Sequence, residues 1–437
     1  MEWYWALSML LGCVLILMAL GTPVAVAFIA ANIVGTFMFL RGEVGLSLMP
    51  MEYVFSISKY SLIPVALFIL MGEILFQTGV AFRSISAIDR LISGVPGRLC
   101  MVSVAGGTVF SSLSGSTIAN TAILGNLLLP DMMKRGYDAK LAMGPIMAVG
   151  GIAMLIPPSA LAVLLASLAE RSISELLIAG ILPGLVMAAL FVLYIYVCCR
   201  MNPALVPPPE PVETGGWERW KPFVFDVLPL FTIFVVVVGS IFARIAAPEE
   251  AAALGCIAAV IISAIYGSLT RANLMKALKE TAKVNGMLLF IIAGSLTFAQ
   301  VLQVSGATSG VLQALAAIEF DVVTAMLMMM LVLLLLGCFM DQISMILLTL
   351  PFFLPLSESL GIHPTWLMVM MLIAMEISLL TPPFGLLLFV MRGVAPSHIG
   401  IGQIYAAAMP FVMIELAVMI ALAVFPAAAL WLPSLLR

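Results

Sequence analysis

The sequence predicts an all-α polytopic membrane protein: an inverted repeat with two re-entrant helical hairpins and two Pro-Pro-broken transmembrane helices. Three observations carry that prediction. The chain is 63% hydrophobic and 9% charged, against about 25% charged residues in a soluble domain, and many stretches reach the roughly 20 apolar residues that span a bilayer. Its basic residues gather in a few segments, as they do on the cytoplasmic side of membrane proteins. Finally, "MLIPPSAL" (154–161) has a twin in "LLTPPFGL" (379–386). Each proline removes a helical N–H and clashes one turn back, so each pair interrupts its span.

The chain opens with "MEWYWALSML", which has neither a basic n-region nor a small-residue cleavage site, and reads as a retained first span. Spans follow over 3–20, 22–40 and 61–79. Segment 99–130 is preceded by Arg83, Arg90 and Arg98 and followed by Lys134, Arg135 and Lys140. Both flanks belong in the cytoplasm, which a single span cannot achieve, so the segment enters and returns as a hairpin. The overlong span 141–166 carries Pro157 and Pro158 and leads to span 176–199. Proline-rich, polar 200–222 reads as a cytoplasmic linker between two halves. Spans 224–243, 250–268 and 285–304 continue the alternation, with the basic segment 269–283 inside. Segment 322–355 is flanked by Asp321, Glu358 and His363 but no Lys or Arg, and is a second hairpin, entering from the outer face. The broken span 365–391, with Pro382 and Pro383, and the last span 406–432 follow. This assignment puts all but five of the 19 basic residues inside, the exceptions being Arg41, Lys59, Arg171, Arg244 and Arg437. Turning either hairpin into one span would reverse everything after it. Both termini come out extracytoplasmic.

The organisation expected is N-terminal scaffold spans (1–60), a first inverted repeat (61–199), the linker (200–222), further scaffold spans (223–284) and a second inverted repeat (285–437). An ungapped offset of 225 residues pairs Pro157 with Pro382, Pro130 with Pro355, and Gly136 with Gly361. Inverted repeats with broken helices are a recurrent transporter plan. Interrupted backbone at membrane depth is tolerated where it is buried or lines a polar cavity. There, freed carbonyls and half-helix C-termini can hold a cation, and half-helix N-termini can face an anion.

The hairpin tips add oxygen ligands. "FSSLSGSTIANTAILG" (110–125) offers Ser111, Ser112, Ser114, Ser116, Thr117 and Asn120 around Gly115. These are hard donors suited to Na⁺, or small residues suited to close helix packing. "LGCFMDQISMILLTLP" (336–351) offers Gly337, Asp341, Gln342 and Ser344, with Asp341 in register with Ser116. Acids at membrane depth are costly and mark function; the candidates are Glu73, Asp341 and Glu376. Glu376, in register with Gly151, is either a structural acid bonding a hairpin backbone or an ion or proton group, and Glu73 braces the scaffold. Glu249 and Glu250 follow Pro248 at a helix start, where the dipole favours acids. The six cysteines lack C-x-x-C spacing and read as small packing residues. His363 and His398 have no company suited to a metal cluster or to a nucleophile and its base, so no enzyme is expected. A channel fits less well than alternating access, given two occluding hairpins.

The set "SGSTIANTAILG", "LPDMMKRGYD", "IPPS", "GILPGL", "PEEAAALG", "LGCFMDQISMILLTLPFFLP" and "LLTPPFGLLLFVMRGVAP" resembles the large membrane (permease) subunit of tripartite ATP-independent periplasmic (TRAP) transporters. The resemblance runs from "GTPVAVAF" (21–28) to the final span. It implies an elevator-type secondary transporter of the ion transporter superfamily in a bacterial inner membrane. Its coupling ion would be Na⁺, with no organic cofactor, and its substrate a small carboxylate such as a C4-dicarboxylate or sialic acid. It also implies two partners, a small four-span membrane subunit and a periplasmic substrate-binding protein. Carried over by position, a first Na⁺ site would use Ser114, Gly115, Ser116, Asn120 and the backbone near Gly151 and Pro157. A second would use Asp341, Ser344, Thr381 and Gly385, and the substrate cavity Ser112, Pro158, Ser159, Pro382 and Pro383. The chain departs from the family pattern at Gln342, often Pro, and at Leu387, often Asn, which removes an amide from the second site. The runner-up reading is a stand-alone Na⁺- or H⁺-coupled organic-anion symporter of the same architecture.

Overall fold

The computed structural model describes residues 2–91, 95–114, 117–208, 217–316, 321–337, 340–383 and 385–435. Among them the regular structure is helical. The first half runs α1 (Trp3–Ala19), α2 (Val24–Phe39), α3 (Glu43–Ile57), α4 (Ile63–Gln77), α5 (Val80–Leu91), α6 (Arg98–Ser114), α7 (Thr117–Lys134), α8 (Ala139–Ile152), α9 (Ala160–Leu168) and α10 (Ile173–Met201). A short α11 (Trp217–Pro222) leads into the second half. There follow α12 (Leu228–Phe242), α13 (Pro248–Ile265), α14 (Arg271–Val304), α15 (Ala307–Ala316), α16 (Val322–Gly337), α17 (Gln342–Ser359), α18 (Pro364–Leu380), α19 (Leu386–Val394), α20 (Ile401–Val424) and α21 (Ala427–Ser434).

The 225-residue offset reaches further than the hairpins and breaks. It carries α1 onto α12, α2 onto α13, α6 and α7 onto α16 and α17, α8 and α9 onto α18 and α19, and α10 onto α20. The short α3 and α4 fall together on the single 34-residue α14. Gly136 and Gly361, at φ 83° and 67°, make equivalent left-handed turns that glycine adopts without strain.

The proline pairs do what their chemistry requires. α8 has 14 residues and α9 has nine, or roughly 21 and 14 Å at 1.5 Å per residue, so neither alone crosses a core of about 30 Å. In the first break Ser159 caps α9, its Oγ accepting from Ala162 N at 3.2 Å and donating to Met154 O at 2.9 Å. Both proline–proline bonds are cis.

Two packing groups result. α4 lies against α13 and α14, α2 against α14, and α12 against α13; Asn32 ties α2 to α14, donating to Gly294 O at 2.6 Å. The hairpins and broken helices form the second group, with α6 on α8, α16 on α18, α7 along α19 and α20 across α8. The 29-residue α10 measures their disposition. At its start Arg171 pairs with Glu358, which closes the second hairpin. Past its end, Asp138 N, beyond the first hairpin, donates to Leu205 O at 2.8 Å. The bases of the two hairpins thus lie at opposite ends of a helix roughly 44 Å long.

Seven helices among the described residues are long and apolar enough to cross a membrane. Three helices, α3, α5 and α15, occupy stretches with no element assigned from sequence; they are too short or too amphipathic to register as spans. The basic segment 269–283 includes the first turns of α14, since "RANLMKALKETAK" contains good helix formers and no Gly or Pro, and Thr270 caps it, accepting from Asn273 N at 3.1 Å. The expected span 406–432 divides into α20 and α21 at Phe425–Pro426, because proline cannot continue the helix. Glu250 accepts from Ala247 N at 2.9 Å, the helix-start role expected of it.

Candidate functional site

The second hairpin and second break meet around Asp341. This acid caps α17, its carboxylate accepting from Ile343 N at 3.1 Å, Ser344 N at 3.3 Å and the Ser344 hydroxyl. Gly337 ends α16 against Ser378, where a Cβ would collide with the serine side chain, so the tip sits one turn before the break. In the break, Thr381 Oγ1 donates back to Ile377 O at 2.7 Å, and Gly385 N donates to Thr381 O at 3.1 Å. A Cβ on Gly385 would lie 2.6 Å from Leu379 O and 2.9 Å from Thr381 O, so two carbonyls converge on a position only glycine fits. Asp341 and Ser344 thus stand at the start of α17, and Thr381 and Gly385 in the break between α18 and α19.

The described residues expected at the first site come from α7, α8 and the break that follows α8. Asn120 is fully buried, and α7 lies against the end of α8, where a Cβ on Gly150 would come 2.6 Å from Thr121 Oγ1 and 3.2 Å from Thr117 O. Gly115 and Ser116 lie outside the described residues, as do the side chains of Ser112 and Ser114. Pro157, Pro158 and Ser159 are buried, and the Ser159 hydroxyl is taken up in capping α9 rather than facing a cavity. At the second break Pro383 is exposed and Pro382 half-buried; the Pro383 carbonyl accepts from Tyr405 Oη at 2.9 Å. The prolines of the first break are thus buried and those of the second at least partly exposed. Leu387 packs near Gly150, 3.5 Å from the position of a Cβ there, so an apolar contact stands where an amide was expected.

Residues that the offset pairs also touch. Gln342 Nε2 donates to Thr117 Oγ1 at 3.2 Å, 225 residues away, and a Cβ on Gly151 would lie 2.5 Å from Glu376 Oε1. The expected bond from Glu376 to a hairpin backbone is not formed among the described residues; the side chain instead fills the space over Gly151. Sequence reading missed Glu415 of α20. It is as buried as Glu376, and neither carboxylate has a hydrogen-bond partner among the described residues. The signal was present, one acid within the apolar run "FVMIELAVMIALAV". Glu73 accepts from Gln77 at 3.0 Å within α4.

The chain is similar to known proteins in sequence and in fold. The family profile described as "Tripartite ATP-independent periplasmic transporter, DctM component" matches residues 11–428. The C4-dicarboxylate TRAP transporter large permease protein DctM of Pseudomonas aeruginosa is 31% identical over 86% of each chain. The 2,3-diketo-L-gulonate TRAP transporter large permease protein YiaN of Escherichia coli is 30% identical over 89% of this chain and 90% of that one. Among solved structures, the YdaH transporter of Alcanivorax borkumensis aligns with a TM-score of 0.63 at 16% identity, over 87% of this chain and 88% of that one, a likeness of fold.

Proposed function

The chain belongs to the DctM-component family of tripartite ATP-independent periplasmic transporters, and from that membership we propose that it carries a small organic anion inward, driven by Na⁺, by an elevator motion of its hairpins and broken helices. Membership itself makes it a large permease subunit, a multi-pass protein of the inner membrane, and implies a small membrane subunit and a periplasmic binding protein. The small subunit has four spans in this reading, and both termini of this chain are periplasmic.

The observation that carries the proposal is the pairing of each hairpin tip with a broken helix. At the second break, carbonyls of Leu379 and Thr381 converge at Gly385, and the second hairpin offers the carboxylate of Asp341 at the start of α17; together these are the donor chemistry that a hard monovalent cation takes. Asn120 and the backbone about Gly151 form the first cation site, completed by the Ser114–Ser116 tip. Opposite hairpin bases support an inverted repeat, and the difference in exposure between the two breaks supports alternating access. The substrate is a carboxylate, such as a C4-dicarboxylate, sialic acid or a sugar acid, held near Ser112, Pro158, Ser159, Pro382 and Pro383. Relatives named for C4-dicarboxylate and for diketogulonate favour that class.

The test is uptake in proteoliposomes holding this chain and its small subunit, with and without the cognate binding protein, under an imposed Na⁺ gradient. Uptake that needs both the gradient and the binding protein is expected. Uptake without the binding protein would instead mean a stand-alone symporter.

A further inference from the structure

Glu376 and Glu415 stand out as buried acids that the Na⁺ and substrate sites do not use. Both are 0% exposed, and all four carboxylate oxygens lack a hydrogen-bond partner among the described residues. They lie on packed helices. α18 and α20 run antiparallel in a register fixed at two points, Trp366 Nε1 donating to Leu422 O at 3.0 Å and Tyr405 Oη to Pro383 O at 2.9 Å. That register brings Glu376 level with Val412, within one turn of Glu415.

The surroundings offer no countercharge. Glu376 sits over Gly151, the penultimate residue of α8, and four residues before the end of its own α18. It therefore stands at the negative ends of two helix dipoles, where an anion is disfavoured. Other ionisable groups on the packed helices are engaged elsewhere. Asp341 caps α17, Glu358 pairs with Arg171, and Glu175 accepts from Thr365 and lies beside His363. Arg392 donates to the Ile399 carbonyl and Tyr405 to that of Pro383. Lys140 begins α8, about 16 Å from Gly151 along the helix, and Tyr194 packs edge-on against Phe411. Because α10 and α20 also run antiparallel, with Phe191 beside Phe411 and Leu182 and Val186 beside Val418 and Leu422, Glu415 points away from the cysteines and Arg200 at the end of α10.

We propose that Glu376 and Glu415 form a proton-binding site where the two broken helices cross, sharing at least one proton while the site is closed. Two ionised carboxylates here would suffer desolvation, mutual repulsion and two unfavourable helix ends, and a proton between them relieves all three. No third acid, histidine or cysteine joins them among the described residues, and neighbours such as Met375, Ile377 and Val412 are buried and apolar. A ligand that needs no coordination shell therefore fits best. The pair lies against α8 at its break, so parting of the broken helices admits water and releases the proton. This adds a second cation to the Na⁺-driven reading; the site itself does not depend on that reading.

Infrared spectroscopy of the purified full chain in lipid at neutral pH tests the site directly. The expected result is a carboxylic-acid carbonyl band that shifts in D₂O, weakens in Glu415→Gln, and is lost in Glu376→Gln/Glu415→Gln. Thermal unfolding gives a second readout. A folded state that holds more protons than the unfolded one loses stability as pH rises, and the double variant should flatten that dependence. A wild-type spectrum without the band, or a band that the double variant leaves unchanged, would overturn the proposal. So would a band abolished by added Na⁺, since the pair would then be a sodium site.

Discussion

The Gln342 amide donates to the Thr117 hydroxyl across 3.2 Å, and each residue is the other's equivalent at the 225-residue offset. In an inverted repeat, a residue that touches its own equivalent would lie on the axis that interchanges the halves. Gly151 and Glu376 meet in the same way, so the offset pairs residues in contact both between the hairpins and at the helix breaks.

Replacing both ends of the tip contact tests whether it links the hairpins. In a cycle of Thr117→Val, Gln342→Leu and the double variant, thermal unfolding should show a coupling of about 0.5–1.5 kcal/mol, the net worth of one buried hydrogen bond. Additive effects would mean the hairpins are independent.

At the helix crossing, space is the constraint. Gly151→Ala puts a methyl 2.5 Å from Glu376 Oε1 and should lower stability by about 1–3 kcal/mol, as overpacking does. The same change in a Glu376→Ala background should cost clearly less. Equal costs in the two backgrounds would contradict the close approach.

Much of this architecture was legible in the sequence because its signals are local and strong. Proline pairs, apolar length and basic flanks each follow from one physical rule, and they placed both hairpins and both breaks. The short α3 and the amphipathic α5 and α15 escaped because a search for apolar runs of span length sees neither a 15-residue helix nor one with a polar face. Glu415 escaped for a different reason. Its importance comes from the acid on α18, the helix packed against its own, and that pairing exists only after folding. The contacts of Gln342 with Thr117 and of Leu387 with Gly150 are likewise products of the fold, although the offset that relates Thr117 to Gln342 was already readable.

Asp341 combines a structural role with a proposed ionic one, and two substitutions separate them. Asp341→Asn keeps an N-cap of equal quality, so stability should stay close to wild type while the Na⁺ concentration for half-maximal uptake rises. Asp341→Ala should show that rise together with a loss of about 1 kcal/mol. If Asp341→Asn leaves the Na⁺ dependence unchanged, the carboxylate serves only as a cap.

Gly385→Ala probes the same site from the backbone side. Its methyl would lie 2.6 Å from Leu379 O and 2.9 Å from Thr381 O, displacing the carbonyls proposed to hold the cation. Uptake should need several-fold more Na⁺, read from the Na⁺ dependence of initial rates. An unchanged dependence would remove these carbonyls from the site.

The central claim is that the broken helices move against the scaffold. Ser61, in the turn entering α4, and Ser167, near the end of α9, place their hydroxyl oxygens 2.7 Å apart, one on each side of the proposed sliding surface. The most direct measurement is uptake by Ser61→Cys/Ser167→Cys in proteoliposomes with its partner subunit and binding protein, before and after oxidation. The account predicts that the disulfide stops uptake and that reduction restores it. Full uptake with the crosslink formed would contradict the elevator motion.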